Sequence, residues 1–156
     1  MKIRDLTPSD FDAFNSLMFE LHNHHVSHRP DIFKKIEKPT DTTAWNFETF
    51  LNDENTLMLG AELNGEIVGI CVVILRHPKN PVLVPRTNAY IDSICVGHKY
   101  RKRGIGTAIY KEATRRAKER GAESIELGVS DFNTSAISFY KSLGMTVQNY
   151  KMEQKI

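Results

Sequence analysis

Little in this chain marks it as belonging to an unusual class. Its 156 residues include only two cysteines and one tryptophan, and 21 lysines and arginines are nearly balanced by 19 aspartates and glutamates. Cys71 and Cys95 each lie in a strand-like apolar run, which favours buried free thiols over a disulfide framework or a thiolate metal site. No apolar run approaches the ~18 residues of a membrane span. The opening MKIRDLTPSD also lacks the apolar stretch of a secretory leader, so a cytoplasmic protein with no membrane partner is expected. A net charge of +2 supplies no strong overall field, which argues against a nucleic-acid partner and means that anion affinity must come from local clustering. There is no internal repeat, linker or low-complexity segment, and the length suits one domain over residues 1–156.

What is present is regular alternation of strand and helix signals. Residues 1–6 suggest a strand. Thr7-Pro8-Ser9-Asp10 then suits a helix start, and Phe11, Phe14, Met18 and Leu21 follow at helical spacing. From Asn23 to Thr42 the pattern breaks into an expected loop, and a second short helix is expected over 43–52. Two β-rich runs on either side of Asn64-Gly65 predict a hairpin with a type I′ turn. NAYIDSICV predicts a further strand. Ile105, Ala108, Ile109, Ala113 and Ala117 mark a helix that ends at Gly121, and SIELGVS predicts the next strand. A helix capped by Asn133 and a last strand, MTVQNYKME, complete the order β-α-α-β-β-β-α-β-α-β. That order predicts an α+β mixed sheet, with the strands on either side of the 105–120 helix parallel and adjacent.

VGHKYRKRGIGTA, Val96 to Ala108, packs five basic side chains and three glycines between an expected strand and an expected helix. The first turn of a helix has N–H groups without internal acceptors, and the helix dipole adds positive potential there. Gly104 and Gly106 leave the backbone approachable, while Arg101, Lys102 and Arg103 add charge. A pyrophosphate fits this description, and a plain solvated basic loop stands as the alternative. The spacing is neither that of a P-loop nor that of a Rossmann fingerprint, so ATP and NAD are poor candidates.

Arg101-x-x-Gly104-x-Gly106, placed between strand and helix, resembles the acetyl-coenzyme A signature of the GNAT superfamily of N-acetyltransferases. NTSAISFYKSLGM resembles the superfamily's second landmark, matching at Asn133, Ala136, Phe139, Tyr140, Gly144 and Met145. The resemblance extends from about Leu57 to the end of the chain. It implies the GNAT fold, a central mixed sheet flanked by helices in which two parallel strands splay apart. It further implies acetyl-coenzyme A as cosubstrate, its pyrophosphate gripped by the backbone from Arg101 through Ile105 to Thr107. The implied activity is transfer of acetyl to a primary amine of a small molecule or peptide, by direct attack in a ternary complex. A non-catalytic coenzyme A thioester sensor on the same fold is the alternative, and a homodimer is left open.

Acetyl transfer needs a proton acceptor for the amine, a donor for the thioester oxygen and a proton for the departing thiolate. The resemblance places the Tyr140 hydroxyl near the cofactor sulfur, which makes it the candidate acid. Asp92 is the candidate base, on the strand beside the thioester and, by alternation, on the face of Ile94 and Val96. Backbone near Ile94 to Val96 would bind the oxygen. Asn133 and Ala136 join the cofactor-binding set through the motif. His22, His24, His25 and His28 lack cysteine or ordered carboxylate partners, so no metal is expected. They are either a solvated cluster or a lining of the acceptor pocket, where a neutral imidazole could also take the amine's proton.

Overall fold

A computed structural model describes residues 1–39 and 45–156. Along the chain come β1 (Lys2–Asp5), α1 (Phe11–His28), α2 (Phe47–Leu51), β2 (Thr56–Leu63), β3 (Glu66–Arg76), β4 (Asn88–Val96), α3 (Ile105–Glu119), β5 (Ser124–Leu127) and α4 (Thr134–Ser142). The strands form one sheet in the order β1-β2-β3-β4-β5, antiparallel from β1 to β4 and parallel between β4 and β5. This is the expected mixed sheet. The hairpin turn carries φ of 53° at Asn64 and 83° at Gly65, the two positive angles a type I′ turn demands.

Each face of the sheet carries its own core. Leu59, Val73 and Ile91 meet Ile105, Ile109, Ala113 and Ala117 of α3 on one side. The four-residue spacing puts all of these α3 side chains on one stripe, and the two alanines let the helix lie close. On the other face Ile70, Val72 and Cys95 meet Phe14, Leu17 and Met18 of α1 and Phe47 of α2. Full burial of each large aliphatic or aromatic side chain contributes about 1.5–3 kcal/mol, so the two helix layers hold the sheet from both sides. Both cysteines are free and buried here.

Three expectations need correction. First, α1 does not give way to a loop at Asn23 but runs on to His28. The segment has no apolar periodicity, yet its imidazoles pack on aromatic rings from elsewhere in the chain: His25 on Phe33, with centroids 5.0 Å apart, and His28 on Phe132, 4.6 Å apart and nearly coplanar. Second, the short helix expected over 43–52 is Phe47–Leu51, with Thr43 and Ala44 outside the described residues. Third, residues 145–153 form no strand, and β5 stops at Leu127 instead of reaching Ser130. β5 is an edge strand with its outer side unpaired, yet this segment makes no ladder bonds to it. The last segment touches the rest through side chains instead, Gln148 to Glu126 at 3.5 Å and Glu153 to Arg29 at 2.6 Å.

Two features set the end of β4 apart from β5. Its pairing with β5 runs from Asn88 opposite Ser124 to Ile91 opposite Leu127 and goes no further, although β4 itself continues to Val96. At the same level its register against β3 slips: Ile91 faces Val73 and Ser93 faces Val72, leaving Asp92 as the extra residue of a β-bulge. The bulge reverses the alternation. Ile91, Ile94 and Val96 therefore all pack towards α3, while Cys95 packs towards α1.

Candidate active site

β4 and β5 stop pairing at Ile91 and Leu127, and the glycine turn follows the unpaired end of β4. The chain leaves β4 through Gly97, whose N–H donates to Val68 O at 2.9 Å, and passes a short 3-10 turn at His98–Tyr100. Lys102 and Gly104 both have positive φ, 60° and 77°, while Arg101 at −64° does not. Arg101 itself is extended, with ψ of 160°. Holding Lys102 left-handed costs on the order of 1 kcal/mol, strain of the sort found at ligand sites. The first intrahelical bond of α3 runs from Ala108 N–H to Gly104 O at 3.0 Å, so the amides of 105–107 precede it and face the turn.

The two glycines of the signature do different work. A Cβ on Gly104 would meet no protein atom within 4 Å, so the space beside it is open to a ligand. A Cβ on Gly106 would lie at ordinary contact distance from protein atoms, 3.4 Å from the Phe139 ring and 3.7 Å from Val96, so this glycine sits beside α4 and not beside open space. The side chain of Ile105 is buried in the core, which leaves only its amide for a ligand. Thr107 is half-buried on the first turn of α3.

Of the three basic residues expected to serve an anion, Arg101 is already engaged. Its Nε donates to Val96 O at 2.9 Å and its guanidinium pairs with Glu20 of α1 at 2.6 Å. Arg103 sits over the Tyr100 ring, 5.7 Å from its centre, and Lys102 is exposed.

On the β5 side, Asn133 caps α4 by accepting from the backbone N–H of Ala136 at 3.3 Å, which accounts for the asparagine of the motif. Tyr140 follows one turn later and is half-buried. Burial, and after it the neighbourhood of Cys71, Cys95 and Tyr110, pushes its phenol up to about 12, so it keeps its proton at neutral pH. A bound proton of that kind is what an acid needs. Asp92, at the bulge, is solvent-accessible yet crowded by protein. Desolvation raises its carboxyl above the usual range, against opposing pulls from Ser93 and Arg76, and a raised value makes it a better base.

The histidines form the wall opposite. His24 and His28 lie 4.7 Å apart by ring centroid, and both lean on Phe132 in the segment leading into α4. Burial, then the neighbouring charges of His28, His25 and Arg101, lower the pKa of His24 against a smaller opposing pull from Asn133, so its ring is neutral at pH 7. Folding thus prefers the unprotonated ring, and its contribution to stability is lost as pH falls below about 6.5. Among the described residues no group of three or more His, Cys, Asp or Glu is arranged to hold a metal, and no helix is long and apolar enough to cross a membrane.

Sequence reasoning missed Glu20 and Phe132. Glu20 follows Leu17 by three residues at the margin of the apolar stripe, and nothing local announces a partner 81 residues on.

Comparison with known proteins agrees with this geometry. The curated relatives include an uncharacterized N-acetyltransferase of Methanocaldococcus jannaschii, 32% identical over 142 residues, which cover 91% of this chain and 59% of the relative. An N-alpha-acetyltransferase of Sulfurisphaera tokodaii is 30% identical over 116 residues, covering 70% of this chain and 68% of the relative. Among solved structures, a point mutant of a Bacillus halodurans protein superimposes with a TM-score of 0.92 at 32% identity, over 100% of this chain and 99% of its own. An aminoglycoside N-acetyltransferase in complex with coenzyme A shares the fold, with a TM-score of 0.74 at 15% identity over 99% of this chain and 98% of its own. The sequence model of the acetyltransferase (GNAT) family matches residues 18–145, taking in the later part of α1, the bulged strand, the glycine turn and α4 together, and the chain belongs to that family.

Proposed function

We propose that this chain is an acetyl-coenzyme A dependent N-acetyltransferase that acts on a primary amine of a small molecule or peptide, by direct attack in a ternary complex. The observation that carries this reading is the end of β4–β5 pairing at Ile91 and Leu127, leaving a cleft between the strand ends before a glycine turn that has open space at Gly104 and amides at 105–107 ahead of the first bond of α3. The cleft suits an extended thioester arm. The turn suits the pyrophosphate at its other end.

Within that frame the residues divide the work. The β4 edge beyond Ile91 has no strand beside it, so N–H groups on that edge near Ile94 to Val96 are available to a carbonyl oxygen as it gains charge. Lys102, Arg103 and the amides of 101–107 hold the phosphates, with Arg101 acting as a brace instead of a direct ligand. An alkylammonium is only about 0.1% neutral near pH 7.4. Its proton passes to Asp92 through water or to the neutral imidazole of His24. Tyr140 gives its proton to the departing thiolate. Amine acceptors are supported by related proteins described as acting on thialysine and on L-ornithine.

The test is steady-state release of free thiol from acetyl-coenzyme A with a panel of polyamines, amino acids and peptide N-termini. At least one amine should stimulate thiol release well above hydrolysis. Tight coenzyme A binding with no turnover on any amine would instead leave a thioester-binding module.

The histidine wall divides the two substrates. His25→Ala and His28→Ala should raise KM for the amine several-fold while leaving KM for acetyl-coenzyme A within about threefold. His24→Ala should move both constants, because that ring leans on Phe132, in the segment leading into the Asn133 cap of α4. Equal effects of all three on the cofactor alone would remove the acceptor role from this cluster.

A further inference from the structure

We propose that Glu20 is the positioning residue of the donor turn, holding it from α1 so that the helix lining the acceptor side and the turn gripping the cofactor move as one unit. The proposal rests on the donor role assigned above to that turn.

Both oxygens of this carboxylate are committed to the turn. One accepts from the backbone N–H of His98 at 3.2 Å, and the other from the Arg101 guanidinium at 2.6 Å. Arg101 in turn reaches back to Val96 O at 2.9 Å. Three points are thereby tied together: the last residue of β4, the entry of the 3-10 turn and the first arginine of the signature. They bracket the segment whose backbone must present its amides in a fixed direction.

The neighbouring turns of α1 touch the same region. Leu17 O accepts from the Cys95 thiol at 3.5 Å, and a Cβ on Gly97 would lie 3.3 Å from the Leu17 side chain. One turn beyond Glu20, His24 feels the charge of Arg101, and one turn further His28 stacks on Phe132. Positions 17, 20, 24 and 28 thus form one face of α1 that lies along β4, the donor turn and the approach to α4. Of these, Glu20 alone makes charge-assisted bonds to the turn.

The position is chemically unexpected. A carboxylate beside a pyrophosphate site repels the ligand, so on charge alone its removal should tighten cofactor binding. If instead it orders the turn, its removal should weaken binding. The two roles predict opposite signs.

The experiment measures coenzyme A affinity by calorimetry and both KM values and kcat by thiol release, for wild type, Glu20→Gln, Glu20→Ala, Arg101→Ala and the double variant Glu20→Ala/Arg101→Ala. Glu20→Ala should weaken coenzyme A binding about 5- to 20-fold, the range for loss of hydrogen bonds to a charged group at a solvated site. Its KM for acetyl-coenzyme A should rise in parallel, with kcat changed by less than about threefold. Glu20→Gln keeps an oxygen for the His98 amide and the shape of the side chain, so its loss should be smaller. In the double variant the Arg101 change should cost less than it does alone, because the two residues act through one contact. Unchanged or tighter binding in Glu20→Ala, or additive effects, would overturn the proposal. So would normal affinity in Glu20→Gln if the alanine variant fails to fold. Wild-type protein that binds no coenzyme A would remove the donor assignment itself, and this proposal with it.

Discussion

Tyr140→Phe is expected to lower kcat by about 10²- to 10⁴-fold, the usual range for a positioned general acid. The change deletes one hydroxyl and keeps the ring, so α4 should retain its cap at Asn133 and the contact of Phe139 with Gly106. Coenzyme A affinity should barely move, because the lost group matters mainly in the transition state. Burial pushes this phenol up to about 12, so the proton donor is present throughout the neutral range and no falling limb in the pH–rate profile below about pH 10 should trace to it. A thiol with a pKa near 8.5, by analogy with cysteine, is already a tolerable leaving group as thiolate, which sets the expectation towards the lower end of the range. Single-turnover kinetics of the variant decide the matter. Full turnover at pH 7 with chemistry rate-limiting would reduce Tyr140 to a packing residue.

Gly104→Glu should abolish measurable coenzyme A binding. A new side chain at this position meets no protein atom within 4 Å, so it has nowhere to clash except in the space assigned to phosphate oxygens, and it brings a negative charge there. The backbone contributes a second, smaller effect. Gly104 sits at φ 77°, where a side chain costs on the order of 1 kcal/mol. Gly104→Ala isolates that backbone cost, and it should lose some stability and only a modest part of its affinity. If the glutamate variant, with its circular dichroism and melting unchanged, still binds coenzyme A in calorimetry as wild type does, the phosphate is not held at this turn.

The comparison of Gly104 with Gly106 shows how far a motif can be read from sequence. Both positions were legible as glycines that a helix start and an anion would favour. Only packing separates them, because Gly106 lies beside the Phe139 ring while Gly104 faces open space. Arg101 illustrates the same limit. Its place in the signature was plain, but its charge is spent on Glu20 and Val96, contacts made 81 and 5 residues away in the chain.

The sequence by itself determined the hairpin, the parallel pairing on either side of α3, the glycine turn and the capped α4. Each depends on local signals: turn residues with positive φ, apolar spacing at 2 or 3.6 residues, and caps that satisfy their own helix ends. Tertiary structure alone decided the extent of α1, the bulge at Asp92, the failure of residues 145–153 to form a strand, and the grip of Glu20 on the donor turn. A bulge is a difference in register between two strands, and α1 is prolonged by rings that Phe33 and Phe132 bring from elsewhere in the chain. Such contacts join residues far apart in the chain, and their free energy depends on positions that local periodicity does not encode.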